Sequence, residues 1–97
     1  MAKIIYSEAA VLDLERIIEL MLQSAPASAQ RTLERIQTAI GILEVHPLIG
    51  RRIDDERREL VISAGSTGYV ALYRYDEGFG SIGILRIRHQ REAGYRT

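Results

Sequence analysis

Arg86, Arg88, His89 and Arg91 fall within six consecutive positions, and Tyr95 follows four residues later. Guanidinium groups are planar, permanently charged and suited to bidentate contact with carboxylate or phosphate. An adjacent imidazole and phenol could accept and donate protons. Together these residue types could hold a phosphodiester and stabilise the charge that develops during in-line RNA cleavage. The same residues could instead address an acidic protein surface. In a generic small domain, such a run is more often a solvated sheet face that ends in a polar tail.

These side chains need a strand to present them, and 81–91 (SIGILRIRHQR) reads as one. Alternation along a strand puts Leu85 and Ile87 on an inner face and Arg86 and Arg88 on the other, a core backed by a cationic platform. Two further strands are expected at 59–64 and 69–75, with short glycine-bearing links, GST and DEGFG, that suit antiparallel hairpins. Tyr69, Ala71, Tyr73 and Tyr75 share one parity, and Val70, Leu72 and Arg74 the other. Half-buried tyrosines are the commoner outcome there, and base stacking the rarer one.

Upstream, 3–6 is a short apolar strand, and Ser7 is a suitable N-cap for a helix reaching about residue 23. Val11, Leu14, Ile18, Met21 and Leu22 make its apolar stripe, with Asp13, Glu15, Arg16 and Glu19 mostly on the other side. Pro26 suits the first turn of a second helix, whose stripe is Ala29, Leu33, Ile36, Ile40 and Leu43 and which ends near His46-Pro47. A cation at His46 would favour that helix's C-terminal dipole. The two helices form an antiparallel hairpin. Residues 51–58 read as a charged, self-screened connector, whose arginines and acids could also serve as salt-bridge addresses for a protein partner. The expected fold is therefore α+β: a short N-terminal strand, a helix hairpin, then a three-stranded antiparallel meander, all in one domain over 1–97.

Composition narrows the function classes. The chain has no cysteine, which removes disulfides and thiolate metal sites. Two histidines and scattered carboxylates show no metal-ligand spacing, and no phosphate-cradling glycine loop or nucleophile elbow is present, so no metal and no cofactor are expected. Acidic residues interrupt the apolar N-terminal run, and no apolar stretch is long enough to span a membrane, so a cytoplasmic protein without membrane association is expected. Thirteen basic residues balance thirteen acidic ones, an unusual profile for a protein held mainly by nucleic acid. The balance is uneven, with six acids to four bases through Gly50 and seven acids to nine bases from Arg51 onward. A local basic patch in the C-terminal half is thus compatible with overall neutrality.

Four segments carry a resemblance that covers nearly the whole chain: SEAAVLDLERIIEL after the first strand, HPLIGRRI after the second helix, REL followed by ISAGSTGYVALYR, and ILRIRHQREAGY. In combination they resemble the RelE/ParE superfamily of toxins from type II toxin–antitoxin modules, most closely its ParE, or plasmid stabilisation, branch. The resemblance implies a small α+β toxin neutralised by a cognate antitoxin in a hetero-oligomeric complex. A ParE-type toxin would trap DNA gyrase on cleaved DNA without catalysing chemistry. Its target-binding residues would be Arg86, Arg88, His89, Arg91 and Tyr95, with Arg57, Arg58 and Glu59 as supporting contacts. A RelE-type toxin would cut mRNA on the ribosome, with Arg58, Arg86 and Arg88 on phosphate and His89 or Tyr95 moving protons. A third possibility is a degenerate toxin that keeps only antitoxin binding. The absence of a lysine cluster and the neutral charge favour the gyrase reading. The resemblance also implies that the antitoxin's C-terminal segment wraps over helices and sheet; the helices' apolar stripes are expected to be only partly satisfied within the monomer and to be completed by an acidic amphipathic antitoxin segment.

Overall fold

The computed structural model describes residues 1–64 and 67–91. Strand β1 (Lys3–Tyr6) leads into helix α1 (Glu8–Ser24), which turns at Ala25 into α2 (Pro26–Gly41) and one 3-10 turn (Ile42–Glu44). There follow β2 (Arg51–Arg52), β3 (Arg57–Ala64), β4 (Thr67–Asp76) and β5 (Ser81–His89). All five strands join one sheet in the order β1-β5-β4-β3-β2, antiparallel except where β1 runs parallel to β5. The α+β class is the expected one, and the meander is extended at both ends. β1 closes one side, and part of the segment expected as a connector forms β2. Asp54 makes that turn: its Oδ1 accepts the N–H groups of Glu56 (3.0 Å) and Arg57 (2.8 Å). The expected turn at Gly65 and Ser66 lies outside the described residues.

The helix hairpin covers one face of the sheet. Ser7 caps α1 by accepting the Ala10 N–H at 3.0 Å, and Pro26 opens α2, where its missing N–H costs nothing. Tyr69, Ala71 and Tyr73 of β4 and Ile82, Ile84 and Ile87 of β5 pack against Ala10, Ile17, Ile36, Ile40 and Leu43. Each large apolar side chain so buried contributes about 1.5–3 kcal/mol. Among the described residues no helix is long and apolar enough to cross a membrane.

Two expectations about orientation are corrected. Tyr73 pairs with Ile84 but Leu72 pairs with Arg86, which leaves Leu85 as the extra residue of a β-bulge. The bulge reverses the parity of β5, so Ile84 and Ile87 face the core and Leu85 is only half-buried. Helix α1 is also rotated by about one position from the expected stripe: Ala10, Asp13 and Ile17 are buried, whereas Val11 and Leu22 are exposed. Asp13, expected toward solvent, is 4% exposed. The tyrosines face the core and not solvent: Tyr75 is partly buried as expected, and Tyr69 and Tyr73 are buried more completely than expected.

The loop before β2 is held from beneath. The Tyr73 hydroxyl donates to the Pro47 carbonyl at 2.8 Å and accepts the Gly50 N–H at 2.9 Å. Burial pushes the phenol pKa up, opposed by the Gly50 N–H and by the Arg58 charge. Arg58 adds bonds to the carbonyls of Leu48 (3.1 Å) and Gly50 (2.9 Å). A Cβ at Gly50 would lie 2.6 Å from Tyr73 Cε1 and 2.7 Å from the Glu59 carbonyl oxygen, so only glycine fits. Gly50→Ala is accordingly expected to lose about 1–3 kcal/mol of stability in urea unfolding. Gly41→Ala, whose Cβ meets nothing within 4 Å at the end of α2, should hold or gain stability in the same assay.

Candidate functional site

The parallel partner β1 ends at Tyr6, opposite Ile84, so beyond Ile84 one edge of β5 has no strand beside it. The chain entering α1 covers that edge. The Ser7 N–H donates to the Ile84 carbonyl at 2.9 Å, and its hydroxyl donates to the Leu85 carbonyl at 2.9 Å. Nearly two helical turns later, Asp13 Oδ2 accepts the Ile87 N–H at 2.8 Å. The same carboxylate takes a fork from Arg86, with Nε at 2.8 Å from Oδ2 and a terminal nitrogen at 3.1 Å from Oδ1. This is a charge-assisted bidentate pair on a buried acceptor, with all three bonds well inside hydrogen-bond range.

Arg88 lies on the opposite side of the sheet, across from Val70 in the β4–β5 register. It stands 3.8 Å from Glu59 Oε2, while Arg51 grips Glu59 Oε1 through Nε (3.2 Å) and a terminal nitrogen (2.7 Å). Glu59 is 7% exposed, so one buried carboxylate sits between two arginines over the Val70 and Leu72 side chains. A terminal nitrogen of Arg88 also reaches the His89 carbonyl at 3.3 Å. The platform expected on β5 is therefore neutralised within the chain at both arginines.

His89 returns to the helix-facing side opposite Tyr69, with the two rings edge to face at a centroid distance of 5.2 Å. Its Nδ1 accepts the Arg91 N–H at 3.1 Å, which assigns the proton of the neutral ring to Nε2. Arg91 itself is exposed at the end of the described chain, and Tyr95 lies outside the described residues. Arg57 pairs with Asp54 at 2.7 Å, and His46 is exposed. The named residues thus divide among several places. Arg58 is on the helix-facing side at Tyr73, His89 on that side at Tyr69, Arg88 on the outer side, and Arg86 at the α1 edge. Tyr69 and Tyr73 are separated by roughly 13 Å along β4, and β3 and β5 by about 10 Å across it, so the Arg58 and His89 backbones are about 16 Å apart. Among the described residues no group of three or more histidine, aspartate or glutamate side chains is placed to hold a metal ion.

Sequence reasoning missed Asp13 and understated Glu59. The signal for Asp13 was its spacing to Ala10 and Ile17, which puts it on their face of α1. A groove of about 340 Å³ opens between the helices, lined by Leu14, Ile18, Leu22 and Leu33 and rimmed by Glu15 and Glu19.

Residues 4–94 match the family model described as the ParE toxin of the type II toxin–antitoxin system, parDE. The chain is 37% identical to Toxin RelE3 of Caulobacter vibrioides over 81 residues, covering 82% of this chain and 85% of the relative. It is 35% identical to Toxin RelE2 of the same organism over 89 residues, covering 92% and 96%. Among solved structures, the chromosomal ParDE TA system from P. aeruginosa aligns with a TM-score of 0.75 at 22% identity, over 92% of this chain and 96% of that one. The toxin–antitoxin complex RelBE2 from Mycobacterium tuberculosis aligns with a TM-score of 0.57 at 24% identity, over 92% and 98%.

Removing one partner of a buried ion pair leaves the other uncompensated, so Asp13→Ala is expected to lose about 3–5 kcal/mol. Asp13→Asn, which keeps an acceptor for the Ile87 N–H, should lose clearly less in parallel urea titrations. Asp54 gives a separate check. Its bonds from the Arg57 side chain and from the Glu56 and Arg57 N–H groups lower its pKa from 3.8 to about 2. Any stabilisation from this turn is therefore complete above pH 3.8 and lost as the pH falls through about 2. A carboxyl NMR titration should place the Asp54 midpoint near 2 and show it rising in Arg57→Gln.

Proposed function

Because the chain belongs to the ParE toxin family of type II toxin–antitoxin systems, we propose that it binds DNA gyrase, traps it on cleaved DNA and performs no phosphodiester chemistry itself. The observation that carries this reading is the commitment of its arginines. A nuclease site needs several cations and a proton-transfer group within reach of one phosphate. Here Arg86 is forked onto Asp13, Arg88 faces Glu59 on the other side of the sheet, and Arg58 holds two loop carbonyls. The net charge of zero supports the same reading, because long-range attraction to RNA relies on positive charge. A binding protein has no need to gather those groups at one point; it needs a firm surface. The surface proposed for that role is the end of β5 with Arg91, supported by the Arg57–Glu59 corner.

An antitoxin is the neutralising partner of such a toxin, and the half-covered helix groove is one surface it would use. In place of the acidic segment expected from the sequence, the rim acids Glu15 and Glu19 favour one that meets this groove with neutral or basic flanks. One observation favours a second reading, ribosome-dependent mRNA cleavage: the kinship with two proteins named RelE.

Purified toxin, its fold verified by antitoxin binding, is expected to inhibit gyrase supercoiling and accumulate cleaved DNA. Antitoxin should reverse both effects. No effect on gyrase, together with mRNA cleavage in a translating extract that disappears in a His89→Ala/Tyr95→Phe variant, would replace this reading with the second one.

A further inference from the structure

At the end of the sheet far from His89, the 3-10 turn runs into the loop 45–50, and apolar side chains gather on its outside. Val45, Leu48 and Ile49 are 63%, 58% and 57% exposed and, with His46 and Pro47, line an open groove of about 480 Å³. Phe79, 87% exposed, sits in the turn between β4 and β5, next to Gly80, which shares a second depression with Val45 and Pro47. Together these four apolar residues expose on the order of 500 Å², as much as the largest apolar patch of a typical monomer, about 300–600 Å². A single exposed apolar residue needs no explanation, but a cluster does. The loop cannot turn them inward, because the Tyr73 hydroxyl holds Pro47 and Gly50 while Arg58 holds the Leu48 and Gly50 carbonyls. A surface fixed in advance loses little entropy when it is covered.

Leu48 also borders a charged depression of about 450 Å³, formed with the start of β3 and the end of β4, which carries four arginines and five acids. Three of the arginines are engaged within the chain. Arg52 faces Asp55 at 3.6 Å, Arg57 pairs with Asp54 at 2.7 Å, and Arg58 bonds to the loop carbonyls. Arg74 differs. It is exposed, stands directly across from Arg57 in the β3–β4 register, and takes no ion pair among the described residues. Like charges so placed repel each other. The exposed Glu56 and Glu77 side chains of the same depression also take no cation among the described residues. An acidic partner would meet five carboxylates here, and a basic partner four guanidinium groups. A second copy turned about a two-fold axis avoids both conflicts, because it sets the cation of each copy against the acids of the other.

We propose that this end of the sheet is a two-fold contact between two copies of this chain, with Leu48 and Ile49 of each packed against the other and Arg74 of each paired with Glu56 or Glu77 of the partner subunit. The apolar cluster and the charged depression together have the size, about 800 Å² a side, of a standard interface. Pairing of this kind is independent of which target the toxin meets. Both copies keep the end of β5 open, and also the helix groove at Ile18 and Leu22, beside the Met21 sulfur that accepts from the Tyr69 hydroxyl. Of the surface proposed for gyrase, only the edge at Arg57 and Arg58 borders the contact.

Sedimentation velocity on the purified chain tests this. The mass should pass from one chain to two as concentration rises, with a midpoint on the order of 10 μM, the weak end of affinities for an interface of this size. Leu48→Glu, which sets carboxylates into an apolar contact, should weaken the association at least about tenfold. Arg74→Glu and Glu56→Arg/Glu77→Arg should each weaken it by a similar factor through like-charge contact. All four positions are exposed, so unfolding midpoints should change little. An equimolar mixture of the two charge variants should restore the association as heterodimers, since opposite charges then face each other at both symmetric contacts. A chain that stays monomeric to about 1 mM overturns the proposal. So does a mixture that fails to regain what the separate charge variants lose. If Leu48→Glu leaves the mass unchanged but weakens antitoxin or gyrase binding, the face belongs to that partner and the proposal falls.

Discussion

The carboxylate of Asp13 is the point on which the two layers of this molecule are joined. A parallel strand that stops early leaves its neighbour with main-chain groups facing nothing, and a buried N–H without a partner is costly. Here β1 stops at Tyr6, and the first turns of α1 supply what the missing strand would have supplied: the Ser7 backbone and hydroxyl, then the Asp13 carboxylate. Because Asp13 must reach the Ile87 N–H, the rotation of α1 about its axis is set. Because Arg86 completes the carboxylate's bonding, that arginine is held against the helix. The bulge at Leu85 belongs to the same arrangement, since it puts Ile87 back on the core face while Arg86 stays at the edge.

Much of this was legible in the sequence, and the reasons for the rest are physical. The helix starts followed from Ser7 and Pro26, because capping and proline chemistry are local, whereas α2 ends at Gly41 and passes into a 3-10 turn, short of the expected His46-Pro47. That Tyr69, Ala71 and Tyr73 share one face followed from strand parity, because β4 is regular throughout. Asp13 was misread because an acid at a helical position is ordinarily a solvent residue. Only the early end of β1, a tertiary fact, gives this one a reason to be buried. The bulge at Leu85 has no composition signature, so alternation carried back through it from Ile87 pointed Leu85 inward where Ile84 faces the core. β2 is two residues long and arginine-only, below any periodicity a sequence can display. The arginines of β5 stood out in the sequence by their density. What the sequence did not show was that Arg86 and Arg88 each meet a buried carboxylate contributed by another element.

That pairing changes what kind of surface the chain offers. Arginines locked in intramolecular forks are preorganised and partly neutralised, so they shape a surface more than they capture a diffusing anion. Glu59 between Arg51 and Arg88 stiffens the outer face of the sheet, and Asp13 with Arg86 stiffens the edge. A toxin that works by docking to a large enzyme needs this kind of rigidity. A toxin that cleaves RNA needs the opposite, cations left available for a substrate.

The parallel pairing of β1 with β5 also has a consequence in time. Ser7 and Leu85 bond to one another across 78 positions of sequence, so the first strand made must wait for the last. At a synthesis rate of roughly 5–20 residues per second, the N-terminal strand spends about 4–16 s without its neighbour. Until β5 is complete, Asp13 has no Ile87 N–H or Arg86 to bind, and the inner faces of both helices have little sheet to cover. The nascent chain therefore lacks its finished core and surface until β5 has been made. A cell that keeps antitoxin at the site of synthesis meets each new toxin molecule before its surface is complete.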